Sequence, residues 1–329
     1  MQTGIRDRNS HIISLPPIAH RRTRQQGLVG VHVYGSAVLI LVVLPLVVCL
    51  GCLTSEEILL SQGCDLLDRQ EYEQASLMLT KYIQLCPNAP QGYFARGIAY
   101  RALGNLHGAE KDFENAVVLN PNSINYRWAR FNVLQRRYEN IQTYLRSFVG
   151  TTFERPAWEL LRSALATLMM GDLREILRLD PHDISARLEF ASVLILRGSL
   201  EEALTELDRT VLEAPFEADV RNERGRLLHE MGRYADAIED YDVALRYCDS
   251  CTLVKFNRAL SLKECGRVEE ALAAFEEVVT EDSLDGAAWL NVGDLQHLLG
   301  RRDEGCVSLR KSMNLGIPEA RDLYEELCR

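Results

Sequence analysis

The sequence lacks the motifs that place catalytic groups in most enzymes. It contains no Gly-rich phosphate loop, no nucleophile elbow and no dinucleotide-binding fingerprint. Its seven histidines are scattered, and the segment nearest to a metalloprotease signature begins at His229-Glu230 but has Arg233 in place of the second histidine ligand. The sequence therefore predicts a chain that is not an enzyme, with no metal site, no cofactor and no evident small-molecule substrate.

Negative charge outnumbers positive charge beyond the first 53 residues. Five arginines against Asp7 give residues 1–53 a charge of +4, so the formal net charge of −10 leaves −14 for residues 54–329. Proteins that bind nucleic acid without sequence preference need a clustered positive surface. The charge balance argues against a general nucleic-acid binder, while a hydrophobic content of 47% is sufficient for a sizeable folded core.

The nine cysteines do not outline a disulfide framework, because their number is odd and their spacing is irregular. Cys248 and Cys251 stand three residues apart in an expected loop. A lone pair of this kind cannot complete a four-ligand zinc site. The pair could form a disulfide if the chain is exported, or it could be two ordinary half-buried cysteines, and the sequence leaves both interpretations open.

The first 53 residues divide into a basic leader and an uncharged hydrophobic run. Residues 1–33 contain Pro16-Pro17 and show no helical or strand period, which predicts disorder. Residues 34–53 carry no charge and are followed closely by Glu56-Glu57. About 20 apolar residues can span a bilayer as a helix, and the absence of a polar stripe disfavours the alternative of a buried core helix. Positive charge before the run and negative charge after it predict a cytoplasmic N-terminus and a periplasmic or extracytoplasmic repeat domain.

Gly51-Cys52, at the end of this run, resembles the bacterial lipobox, in which the cysteine is lipidated and becomes the new N-terminus. The resemblance makes Cys52 a lipidation candidate, although Cys49 and Leu50 depart from the usual residues and the leader is long. An uncleaved signal anchor is the alternative. Either form would tether the chain to a membrane through residues 34–53.

A 34-residue period organises the remainder of the chain. Pairs of short amphipathic helices recur, with a small residue in the second helix and a glycine in the turn between the helices. The small residues are Ala75, Ala109, Ala203, Ala237, Ala271 and Gly305, and the turn glycines are Gly104, Gly198, Gly232, Gly266 and Gly300. Four of the five intervals between the small residues are 34. This pattern resembles the tetratricopeptide repeat (TPR).

The resemblance implies an all-α fold, a right-handed superhelix or α-solenoid of helix-turn-helix repeats. We expect TPR units at residues 54–123 and 184–317, and a polar capping helix at residues 318–329. The one irregular interval between small residues is 94, which is 8 short of three periods. Residues 124–183 are therefore expected to hold two degenerate units, which makes about eight hairpins in total.

In the TPR family, the first helices of successive units line a concave groove that binds extended peptides or partner helices. The resemblance implies that this chain is a membrane-tethered scaffold or adaptor that binds other proteins through such a groove. The candidate groove residues are Asn222, Arg226, Phe256, Asn257, Leu260, Leu290, Asn291 and Asp294. Asn257 and Asn291 are 34 residues apart and could hold a peptide backbone with a ladder of side-chain amides.

Two other functions stay open at this point. The chain could be a non-catalytic subunit of an enzyme or an assembly complex, or a structural repeat protein that oligomerises. The four consecutive regular units after residue 184 share one register, so a continuous groove is expected there.

Overall fold

A computed structural model describes residues 55–147, 155–248 and 251–328 of the chain. Over these residues the chain forms fifteen α-helices and no β-strand. The helices are α1 (Ser55–Asp68), α2 (Tyr72–Leu85), α3 (Pro90–Ala102), α4 (Leu106–Leu119), α5 (Ile124–Arg146), α6 (Arg155–Leu179), α7 (Ile184–Leu196), α8 (Leu200–Glu213), α9 (Ala218–Glu230), α10 (Tyr234–Arg246), α11 (Thr252–Glu264), α12 (Val268–Glu281), α13 (Gly286–Leu298), α14 (Arg302–Asn314) and α15 (Pro318–Leu327). The predicted all-α repeat fold is confirmed.

The predicted basic leader and the hydrophobic run, including Cys52, lie outside the described residues. Among the fifteen helices above, none combines the length and the apolar character that crossing a bilayer requires.

Helices α1 to α14 pair into seven hairpins, and each hairpin packs on the next. In five hairpins the turn between the two helices contains a glycine with φ between +76° and +78°, at Gly104, Gly198, Gly232, Gly266 and Gly300. This left-handed conformation is strained for residues with a side chain. In the first hairpin Gln70 occupies the same place with φ of 62°. The turn glycines read from the sequence thus mark where each first helix must end.

The middle of the chain forms one long hairpin, so the prediction of two degenerate units there was wrong. Helix α5 has 23 residues and α6 has 25. Arg130 corresponds to Arg96 of the second hairpin, because each pairs with a buried aspartate on the next helix. This alignment places Tyr138 where the second hairpin has Gly104. Because no glycine ends the helix there, α5 continues and buries Tyr138 in the core. The described residues therefore contain seven hairpins, not eight.

The small residue of each second helix lies where two helix backbones cross closely. A β-carbon built on Gly305 would lie 2.9 Å from the backbone oxygen of Gly293 on the facing helix. The equivalent Ala237 has no exposed surface. Real β-carbons do not approach other atoms this closely, so even alanine at position 305 would force the two helices apart.

Three hairpins also contain a buried ion pair between their two helices, which the sequence analysis missed. The pairs are Arg96–Asp112, Arg130–Asp172 and Arg224–Asp240, with nitrogen–oxygen distances between 2.5 and 2.8 Å. Each aspartate is at most 3% exposed. The two partners are 16 residues apart in the regular hairpins and 42 apart in the long one. The ion-pair partners in the long hairpin are thus separated by 26 more residues than in a regular hairpin. The hairpin itself is longer by the same number, because α7 begins 60 residues after α5 instead of one 34-residue period later.

Two disulfides are present in the described part of the chain. Cys306 on α14 is bonded to Cys328, which follows α15, and this bond holds α15 against the last hairpin. It closes a ring of 23 residues, for which chain entropy predicts a stabilisation of about 3.4 kcal/mol. Cys248 and Cys251 form the second disulfide. This bond closes a ring of only four residues, for which chain entropy predicts a stabilisation of about 2 kcal/mol.

Candidate protein-binding face

Several neighbouring first helices contact each other: α1 contacts α3, and α9 contacts both α7 and α11. Helix α11 is linked to α13 by the ion pair between Lys263 and Asp294. On α9, residues 219, 223, 226 and 230 are spaced by four, three and four, which places them on one side of the helix. The residues 34 and 68 positions later occupy the same places on α11 and α13. We call these twelve residues the inner face: Asp219, Glu223, Arg226, Glu230, Leu253, Asn257, Leu260, Glu264, Ala287, Asn291, Asp294 and Leu298.

Hydrogen bonds between neighbouring first helices hold the inner face together. Asn257 donates from its side-chain amide to Asn222 on the preceding first helix, at 3.1 Å. Lys263 donates to Asn291 at 3.0 Å and pairs with Asp294 at 2.6 Å on the following first helix. These contacts use side chains that were predicted to bind a peptide. They therefore stabilise the stacking of the hairpins in the free protein.

A fourth link between the first helices involves His229, whose Nδ1 lies 2.8 Å from the Ser261 hydroxyl oxygen. Ser261 has no exposed surface. Burial lowers the pKa of His229, against the opposing effect of Glu264 and Glu230. Burial therefore favours the neutral imidazole. Burial also raises the pKa of the Tyr241 phenol on the second helix of the same hairpin.

Five of the eight predicted groove residues lie on the inner face: Arg226, Asn257, Leu260, Asn291 and Asp294. Arg226 is paired with Glu223 at 2.9 Å, on the same helix. Asn291 also donates to the Ala287 backbone oxygen at 2.9 Å and is nearly buried.

The other three predicted groove residues lie toward the interior. Asn222 is nearly buried and accepts the hydrogen bond described above. Phe256 is partly buried and packs its ring at 5.4 Å from the ring of Phe275. Leu290 is buried in the cluster that includes Leu309 and the Ala320 side chain of α15. These three side chains are therefore largely occupied by contacts within the repeat domain.

Sequence analysis missed two exposed leucines that lie at opposite ends of the inner face. Leu253 is 43% exposed at the start of α11, and Leu298 is 64% exposed at the end of α13. Both could have been found by extending the four-and-three spacing from Asn257 and Asp294 by one step each. Besides these leucines the inner face as a whole carries five carboxylates and one arginine, so the face is acidic.

In residues 55–147, 155–248 and 251–328, no group of three or more His, Cys, Asp or Glu side chains is placed to hold a metal ion.

Comparison with known proteins identifies repeat families and a repeat fold. Family models described as tetratricopeptide repeat-like domain and tetratricopeptide repeat match residues 180–264, 90–123 and 256–305. Protein O-mannosyl-transferase TMTC1 of Mus musculus is 24% identical over 155 residues. This match covers 46% of the present chain but only 16% of the mouse protein.

Several solved structures share the fold at low sequence identity. A tetratricopeptide repeat protein from Parabacteroides merdae has a TM-score of 0.58 at 15% identity, with 83% of this chain and 99% of that chain covered. The C-terminal part of a TPR repeat-containing protein from Cytophaga hutchinsonii has a TM-score of 0.59 at 13% identity, with 80% and 98% covered. The Cut9-Hcn1 hetero-tetramer of the APC/C has a TM-score of 0.54 at 12% identity, with 83% and 49% covered.

Proposed function

The chain belongs to the tetratricopeptide repeat family, and we propose that it is a membrane-tethered scaffold that binds basic, extended segments of partner proteins along its inner face. It performs no catalysis of its own in this proposal. The mouse transferase shares only a small part of its length with this chain, so its activity is not carried over.

The observation that carries the proposal is the alignment of equivalent residues on α9, α11 and α13. Because the three first helices lie in one register, the inner face offers the same side-chain positions three times in succession. A partner in an extended conformation also presents side chains at a regular spacing, and it can therefore engage all three helices at once.

The negative charge of the inner face favours partner segments that carry arginine or lysine. The five inner-face carboxylates exceed the single arginine, and Lys263 beside the face offsets only Asp294. Glu230 and Glu264 are exposed and are available to arginine or lysine side chains of a partner. Leu253 on α11 and Leu298 on α13 would contact apolar side chains of the bound segment.

A charge-reversal experiment tests this proposal. The double variant Glu230→Lys/Glu264→Lys should bind an arginine-rich peptide at least tenfold more weakly than the unmodified chain, and the unmodified chain should lose affinity as salt rises. The control is Glu239→Lys/Glu276→Lys, which reverses two exposed carboxylates on the second helices α10 and α12. Equal losses in the two double variants would refute binding on the inner face.

The apolar ends of the face are tested separately. Leu253→Ser/Leu298→Ser should reduce crosslinking of partners in the protein's own cell, whereas Leu212→Ser on α8, where the leucine is 82% exposed, should not. Replacing Asn257 and Asn291 is a poorer test, because both side chains also link neighbouring helices. Crosslinks confined to residues 55–119 would instead make the first two hairpins the recognition surface.

The membrane tether in this proposal rests on residues 34–53 and the charges around them. The two disulfides support a location outside the cytoplasm, because the reducing conditions of the cytoplasm keep cysteines as free thiols. Deleting residues 1–53 should move the protein from the membrane fraction to the soluble fraction. Intact-mass measurement distinguishes a lipidated chain that starts at Cys52 from an uncleaved anchor. Recovery of the full-length chain as a soluble cytoplasmic protein would contradict both forms.

A non-catalytic subunit of a larger assembly is the second candidate function, and one observation favours it. The long hairpin of α5 and α6 carries exposed apolar side chains in the first two turns of α6, where Trp158 is 37% and Leu160 is 73% exposed. The ring of Trp158 lies 5.1 Å from that of Tyr144 on the facing helix. A Trp158→Ser/Leu160→Ser variant that shifts the chain to a smaller assembly in size-exclusion chromatography, with peptide binding unchanged, would favour this function.

A further inference from the structure

The connection between α10 and α11 differs from the other connections between hairpins. Four of those connections contain a proline, at Pro87, Pro121, Pro181 and Pro215. Here the chain has Cys248 and Cys251 instead, bonded to each other with a Cα–Cα distance of 6.0 Å. The two cysteines form a C-x-x-C motif, and Cys251 is the N-cap residue of α11.

We propose that Cys248–Cys251 is a thiol–disulfide exchange site whose reaction partner is a protein dithiol. This proposal is independent of the inner face, which lies on a different set of residues.

Access to the disulfide is the first observation that supports the proposal. Both cysteines are only half-buried, and both line a cavity of about 200 Å³ between α10, α11 and α12. Leu245, Ala274 and Glu277 also line the cavity, so a thiol-bearing side chain would meet two apolar side chains and one carboxylate beside the sulfurs. A disulfide that only braces a fold has no need of such an opening.

The position at the start of a helix is the second observation. The N-terminus of α11 carries partial positive charge, which favours a thiolate on Cys251. Lys255 and Arg258 line the same cavity one and two turns later. Lys255 pairs with Glu281, and Arg258 pairs with Asp242 at 2.6 Å, so these two cations are partly neutralised. The helix terminus is therefore the main source of thiolate stabilisation.

The other disulfide has the features of a structural bond. Cys306–Cys328 joins α14 to the residue that follows α15 and encloses 23 residues, whereas Cys248–Cys251 encloses only four residues within the connection between α10 and α11. Reduction at Cys248–Cys251 would therefore leave the solenoid folded. A bond that can open without unfolding the protein is suited to repeated exchange.

The exchange proceeds in two steps through a mixed disulfide between the partner and Cys248. A thiolate of the partner attacks the Cys248 sulfur, the sulfur–sulfur bond to Cys251 breaks, and its electron pair leaves on Cys251 as a thiolate at the helix N-terminus. The second partner thiolate then attacks the partner's sulfur in the mixed disulfide and releases the Cys248 thiolate. The partner dithiol loses two electrons and becomes a disulfide, while the cysteine pair gains them. The two protons of the partner thiols pass to solvent or to the new thiolates, and the reverse direction oxidises the cysteine pair.

Glutathione redox buffers test the proposal on the full-length chain in detergent, with each thiol quantified by differential alkylation and mass spectrometry. Cys248–Cys251 should be half reduced at a ratio of reduced to oxidised glutathione at least tenfold lower than Cys306–Cys328 requires in the same molecules. Reduction of both pairs at one ratio would overturn the proposal.

A rate measurement separates an exchange site from a bond that is merely weak. In Cys248→Ser the thiol of Cys251 remains alone at the N-terminus of α11, so its adduct with oxidised glutathione cannot resolve and should accumulate. Cys265 is exposed and unbonded, and it serves as an internal reference for an ordinary thiol. Adduct formation at Cys251 should be at least tenfold faster than at Cys265. A rate equal to or below that of Cys265 would assign Cys248–Cys251 to structure alone.

Discussion

Replacing Ala237 by leucine tests the helix crossing on which every regular hairpin depends. Ala237 lies on α10 with no exposed surface. Its hairpin has no spare room, because a β-carbon on the facing Gly225 would lie 2.8 Å from the ring of Tyr241. Leucine adds three carbon atoms at this crossing, and overpacking of this kind typically costs about 1–3 kcal/mol. For a domain of this size, that corresponds to a fall in Tm of roughly 2–4 °C for each kcal/mol.

The same helix supplies the control. Ala235 is two residues earlier on α10 and is exposed, so Ala235→Leu makes the same chemical change without a packing cost. Urea unfolding followed by circular dichroism should show a loss of stability for Ala237→Leu and almost none for Ala235→Leu. Equal stability of the two variants would mean that the 34-residue register has been assigned to the wrong residues.

Three further predictions concern stability. Asp240→Asn should cost about 3 kcal/mol, because it removes the buried partner of Arg224; Asp208→Asn, whose carboxylate contacts the same arginine but is 53% exposed, should cost less than about 1 kcal/mol. Gly171→Ala should stabilise the chain by about 0.5–1 kcal/mol in thermal unfolding, because a β-carbon there meets nothing within 4 Å and alanine favours the helix, and a lower Tm would contradict this. Since burial lowers the pKa of His229 in the folded state, its contribution to stability is present above its unfolded pKa near 6.5 and is lost as pH falls through the lower folded value. Urea titrations between pH 5 and 8 should therefore show a slope that His229→Gln reduces.

The sequence alone determined the repeat, because the signals for it are local. A helical hairpin needs small residues at its crossing and a glycine at its turn, and such requirements fall at fixed chain positions. Ala237 and Gly232 could therefore be read directly. The same logic gave the equivalence of Asn257 and Asn291, which follows from the period and needs no coordinates.

Only the tertiary structure decided how these residues are used. A count of residues could not distinguish two shortened hairpins from one long one, since that depends on whether the chain turns near Tyr138. The bonding partner of Cys306 is also invisible in the sequence, because it lies 22 residues away and is brought close only by the packing of α15 against α14. Spacing placed Asn257 correctly on a first helix but could not show that Asn222 accepts its hydrogen bond. Contacts between repeats depend on the distance and angle between stacked helices, and those are set by the packing of all side chains together.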